Sequence, residues 1–213
     1  MLTEYQAKML VLNYIKSTAT HYHRAYRQEL TDKYDDVFKY FPNKTSVNLY
    51  RGYTFRSEDS NTFYKKLLES VKSRLSMTFA SSWSSDLDIA AGFFDNTYSD
   101  YNDYALLIQA KVKANSCIDV SKARKNSPST LNDESEYILP PVLPIHVNLI
   151  AVYSNREDIY WCLPKYRTFM KSTRVKNVEY IPSFLDFLDT LTCLTESQKY
   201  ALYTHALNNK NVF

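Results

Sequence analysis

Glycine is almost absent: Gly52 and Gly92 are the two among 213 residues. A dinucleotide fingerprint or a phosphate loop wraps its backbone around a phosphate and needs several glycines close together. Both classes are excluded. A nucleotide bound here has its phosphates held by side chains, arginine foremost, because a planar guanidinium pairs two oxygens at once. Cysteine is scarce as well. Cys117, Cys162 and Cys193 are odd in number and far apart, which makes neither a disulfide framework nor a metal knuckle, and they read as reduced core thiols. Long apolar runs are missing too, so no bilayer span is expected. The opening "MLTEYQAKMLVLNYIK" lacks a basic leader, and its apolar stripe is interrupted by Lys8, Asn13 and Lys16. The expectation is a cytoplasmic protein without a secretory signal.

What is present is ordinary globular material, 45% hydrophobic and 23% charged, in a length that suits one domain. A net charge of +3 is too mild to call for nucleic acid as a partner, though it does not exclude one. The densest basic stretch, residues 165 to 176, carries Lys165, Arg167, Lys171, Arg174 and Lys176 without an acid, and reads as a solvated loop or a surface for an acidic partner.

Local patterns predict an α+β chain. Thr3 and Gln6 have the form of a capping box, opening a helical appendage over 1–45. "SVNLYRGYTF" alternates as a strand with Val47, Leu49, Arg51, Tyr53 and Phe55 on one face. The spacing of Phe63, Leu67, Leu68, Val71 and Leu75 predicts a helix over 57–75; "SMTFASSW" reads as a strand and "SSDLDIAAGFF" as a helix. Strands follow in "ALLIQAKVKA", "SEYILP", "IHVNLIAVY" and "EDIYWCLP", the last closing a β-rich core over 46–165. "KARKNSPSTLND" between the first two is a long polar loop. Helices are expected over 182–210, the second opened by a capping box at Thr195 and Gln198. His146 lies in an apolar strand pattern and reads as a core residue; His21 and His23, two apart on a helix, point different ways and predict no metal site.

Three features carry chemistry. An extended run from Glu134 to Ile138 places Glu134, Glu136 and Ile138 on one face, so two carboxylates meet one site. Paired carboxylates suit a reaction through an oxocarbenium-like transition state, and equally an acidic patch on a solvated strand end. Arg51, placed among apolar residues, calls for an anion, either a ligand or a structural ion pair. "FASSWSS" brings hydroxyls to a strand end ahead of a helix.

In that order, "LYRG", "FASSWSSDLDIAAGFF" and "ESEYILP" resemble the R-S-E motif of the arginine-directed mono-ADP-ribosyltransferases, most of all the Alt and Mod type enzymes of bacteriophages. The resemblance covers about residues 47–163. It implies an ADP-ribosyltransferase-like mixed β-sandwich core with N-terminal and C-terminal helices. It also implies transfer of ADP-ribose from NAD, as substrate and with no metal, to arginines of host proteins, with RNA polymerase and translation proteins as the implied targets and no membrane partner. Arg51 matches the arginine that grips NAD, and Gly52 the neighbour whose backbone approaches the nicotinamide amide. Ser81 and Ser82 fall in the serine segment that braces the catalytic glutamate, which of them does so being open, and Trp83 stands at its third position. Phe93 and Tyr98 are aromatics suited to stack on nicotinamide. Glu136 matches the invariant glutamate that steadies the oxocarbenium ion, and Glu134 the acidic partner that orients the acceptor guanidinium. The loop over 122–133 would present the target, with Leu131 where the family carries an aromatic. An NAD glycohydrolase using the same carboxylates, and a non-enzymatic viral protein that binds a host complex, are the competing classes.

Overall fold

The computed structural model describes residues 1–17, 22–92, 103–125, 135–141, 144–173 and 178–209. They form a mixed α+β fold divided into two compact units, each assembled from separate stretches of chain. The first takes Met1–Leu49, Ser76–Asp86 and Lys111–Pro144, and the second takes Tyr50–Leu75, Leu87–Ala110 and Ile145–Phe213. Among the described residues no helix is long and apolar enough to cross a membrane.

In the first unit the helices come first. α1 (Glu4–Lys16) starts on a complete capping box, Thr3 and Gln6 each satisfying the other's backbone amide. α2 (His23–Asp32) and α3 (Tyr34–Phe38) follow. Ala7, Leu10, Val11 and Tyr14 repeat at helical spacing and pack with Leu30, Tyr34 and Val37. The same cluster takes in Ala80, Ile118, Val120, Ala123 and Ile138 from the later stretches. The N-terminal helices thus share one core with short strands far along the chain. Those strands are β3 (Ser81–Ser84), β5 (Ile118–Asp119) and β6 (Glu136–Leu139), with β6 antiparallel to both of the others. Asn43, 1% exposed, ties the unit's connections together. Its amide donates to the carbonyls of Thr45 (2.9 Å) and Lys113 (2.8 Å), and its oxygen accepts from the amides of Ser116 (2.8 Å) and Cys117 (2.9 Å).

The second unit is built on long antiparallel strands. β4 (Tyr104–Val112) pairs with β7 (Ile145–Ser154), with an irregularity in register between Leu107 and Ile108, and β7 pairs with β8 (Ile159–Cys162). β9 (Glu179–Tyr180), which the sequence did not suggest, adds parallel to β8, so "EDIYWCLP" is not the final strand. Ala105, Leu107, Ile150, Ala151 and Cys162 pack with Ala90, Ala91 and Met170 on one side. α4 (Ser60–Val71) ends earlier than predicted: Ser73 takes a φ of 56°, which stops the helix, and Leu75 instead sits in β2 (Arg74–Leu75), paired with Ile145. α5 (Leu87–Gly92), α8 (Phe184–Thr190) and α9 (Glu196–Leu207) form where expected, α9 on the predicted Thr195–Gln198 capping box.

Three further expectations are corrected. His146 is exposed at the start of β7, because the apolar alternation of that strand becomes fully buried only from Leu149 onward. The basic stretch is not a loop throughout: α7 (Arg167–Thr173) occupies much of it, with Lys165, Arg167 and Lys171 exposed. The predicted loop over 122–133 begins inside a helix, α6 (Val120–Arg124), opened by the Asp119 carboxylate accepting from the Ser121 amide. β1 (Val47–Phe55) agrees with its prediction; Val47–Leu49 falls in the first unit and Tyr50–Phe55 in the second.

Candidate functional site

The antiparallel register of β3 and β6 sets Ser84 opposite Glu136, Ser82 opposite Ile138 and Trp83 opposite Tyr137. Alternation then places Ser82, Ser84, Glu136 and Ile138 on one face and Ser81, Trp83 and Tyr137 on the other. Of the two serines Ser81 and Ser82, it is Ser82 whose hydroxyl donates to Oε1 of Glu136. Ser81 cannot, since it faces away. It accepts from the Trp83 indole N–H at 3.0 Å and donates to the Met77 sulfur at 2.7 Å. Trp83, 2% exposed, is core on the face opposite Glu136, so neither Ser81 nor Trp83 is brought beside that carboxylate.

Glu136 is itself 7% exposed, and a carboxylate so buried needs partners for its charge. Ser82 supplies one. The other is a residue that the sequence reading passed over: Arg124, whose Nη2 donates to Oε2 of Glu136 at 3.3 Å, with 11% of the arginine side chain exposed. Its signal was local. Asp119 and Ser121 make a cap ahead of Val120 and Ala123 at helical spacing, which places a basic residue on the last turn of a short helix.

β6 begins at Glu136, and Ser135 before it lies in the left-handed region with φ 47°. The Ser135 carbonyl accepts from the Ser85 amide (3.0 Å) and hydroxyl (3.2 Å), which holds that turn. The two-residue periodicity of β6 is described from Glu136 onward. Glu134, Phe93 and Tyr98, like most of the loop over 122–133, lie outside the described residues.

Each segment that carries the site is held by an N-terminal helix. The Thr31 hydroxyl on α2 accepts from the Ala80 amide at 2.9 Å, two residues before Ser82. Tyr34 on α3 donates to the Ile138 carbonyl at 2.8 Å, two residues after Glu136. Lys8 on α1 donates to the Lys125 carbonyl at 2.9 Å, next to Arg124. Burial drives the Tyr34 phenol well above its ordinary titration range, so it stays a donor at any physiological pH.

Arg51 and Gly52 belong to the second unit. Leu49 and Phe55 are buried on the expected face of β1, whereas Arg51 and Tyr53 between them are half-buried. The Arg51 guanidinium lies over the Tyr53 ring, 4.8 Å from its centroid, an attraction that orients the cation. Gly52 alternates to the other face with Tyr50, whose hydroxyl accepts from Gln109 at 3.3 Å.

Comparison with protein-family models, with characterised proteins and with solved structures finds no match for this chain.

Proposed function

We propose that this chain transfers ADP-ribose from NAD to arginine side chains of proteins, releasing nicotinamide, and that its fold is of the ADP-ribosyltransferase type. The observation that carries the reading is the buried Glu136 carboxylate receiving the Ser82 hydroxyl across the β3–β6 pair. A serine on the neighbouring strand is what the resemblance to the R-S-E enzymes calls for at that glutamate. In the proposed reaction the bond between nicotinamide N1 and ribose C1′ breaks and its electron pair leaves with neutral nicotinamide. Glu136 stabilises the oxocarbenium-like ribose, and a guanidinium nitrogen of the acceptor bonds to C1′ and passes one proton to the Glu134 carboxylate. Glu134 takes the role of orienting that acceptor, and Arg51 of gripping the pyrophosphate, with Gly52 beside it. The targets proposed are host proteins of a bacterial cytoplasm, RNA polymerase and translation proteins first among them.

Hydrolysis of NAD is the second reading: the same Glu136, held by Ser82 and Arg124, would serve it with water in place of the guanidinium acceptor. One experiment separates the two. The chain, its Glu136→Gln variant and its Glu134→Gln variant are incubated with labelled NAD and a bacterial lysate, and protein-bound label and free nicotinamide are both read. Label on protein arginines that disappears with Glu136→Gln supports transfer. Nicotinamide release without labelled protein moves the reading to hydrolysis, and neither product from the unaltered chain would falsify both.

A further inference from the structure

The first unit contains an arginine whose position the strand motifs do not explain. Arg124 closes a five-residue helix, and that helix is fixed before Glu136 is considered. Val120 and Ala123 are fully buried in the helical core, the Asp119 carboxylate caps the N-terminus, and Lys8 holds the carbonyl of Lys125. The guanidinium therefore reaches Glu136 from an anchored backbone. A long side chain recruited from solvent would lose more rotamer entropy in making the same contact.

We propose that Arg124 is a positioning residue for Glu136, holding its carboxylate ionised and turned so that one oxygen faces Arg124 while the other stays on Ser82. The inference rests on the proposed reaction for its catalytic meaning, but the contact exists without it. Among the described residues, these groups face Glu136 from the elements of its own unit. β3 contributes the hydroxyls of Ser82 and Ser84, the latter accepting from the Asp86 amide at 3.0 Å. α6 contributes the Arg124 cation. From β5, Asp119 is opposite Tyr137 on the other face and is engaged by Ser121 and Lys122. A carboxylate withdrawn from water prefers to be protonated, and a guanidinium at hydrogen-bond distance reverses that preference. An oxocarbenium ion is stabilised by the ionised form alone, so the cation extends the pH range over which Glu136 works.

Two measurements test this. The first is the pH dependence of nicotinamide release for the unaltered chain, Arg124→Lys and Arg124→Gln. Removing the cation should move the acid limb of the Arg124→Gln profile upward by about one to three pH units, with rates converging on those of the unaltered chain at high pH. Arg124→Lys should restore much of the lost range. A uniform fall at every pH, an unshifted limb, or a rise in activity would each overturn the proposal. The second needs neither a stable Arg124 variant nor activity: the Glu136 carboxyl is titrated by carbon NMR in the unaltered chain, its signal identified by its loss in Glu136→Gln. Ionisation below the ordinary glutamate value of about 4.3 is expected, and ionisation above it sinks the proposal. If the unaltered chain consumes no NAD, the proposed function fails and the titration alone judges Arg124.

Discussion

The Tyr34 hydroxyl donates to the Ile138 carbonyl at 2.8 Å, joining α3 to β6 across 104 residues of chain. Ile138 shares a strand face with Glu136, so this bond sets the depth at which the glutamate's strand sits against the helices. Tyr34→Phe keeps the ring and leaves a buried carbonyl short of its partner. The expected loss is about 1–3 kcal/mol of unfolding free energy, read by urea denaturation. If the chain acts on NAD as proposed, nicotinamide release should fall with it, and a variant as stable as the parent would show the bond to be idle.

Ser82→Ala removes the hydroxyl from Glu136. A hydrogen bond to a charged group is worth about 1.5–3 kcal/mol, and if it is felt in the transition state the rate falls by roughly 10- to 150-fold. If the chain acts on NAD as proposed, steady-state nicotinamide release checks this, and an unchanged kcat/KM counts against Ser82 as the bracing serine. Ser81→Ala should act differently. It leaves the buried Trp83 indole N–H without its acceptor, so thermal stability drops, by about 1–3 kcal/mol.

Asn43 makes four side-chain hydrogen bonds to backbone groups while 1% exposed. Asn43→Ala orphans all four partners. Some of them will find water, so the expected cost is on the order of 3 kcal/mol rather than the sum of four full penalties. Chemical denaturation measures it, and a loss under about 1 kcal/mol would mean that the loops re-pair.

Burial pushes the thiols of Cys117 and Cys162 from the ordinary 9.0 up to about 12, and raises that of the half-buried Cys193 as well. A group whose folded pKa is raised lends stability that is intact below the unfolded value and lost as pH climbs toward the folded one. Stability should therefore decline between pH 9 and about 12. At pH 8 a thiol reagent should label Cys117 and Cys162 only after denaturant is added. Rapid labelling of either in the native protein at that pH would contradict their burial.

Features that depend on neighbours in sequence were readable in the chain. The capping boxes at Thr3 and Thr195 need only a hydroxyl and a glutamine three residues on, and the strands β1, β4 and β7 announce themselves by short-range alternation or an apolar run. Scarce glycine excluded phosphate-wrapping loops by the same local logic. Where a local pattern misled, one backbone angle intervened. Positive φ at Ser73 ended α4 before Leu75, and positive φ at Ser135 stands where β6 starts, just before Glu136. Serine carries no marker for that conformation as glycine would, and long-range hydrogen bonds such as that from Ser85 stabilise it.

The site divides along the same line. Glu136 and the serine segment could be picked out from residue type and order, but the choice of Ser82 over Ser81 awaited the β3–β6 register, since a shift of one residue exchanges the faces. Arg124 became a partner of Glu136 only because Val120 and Ala123 bury α6 in the N-terminal helical core. The sequence by itself thus determined which elements form and which chemical groups are available. Tertiary structure decided which of those groups touch, because strand register and helix packing are set by burial of apolar residues far apart in the chain.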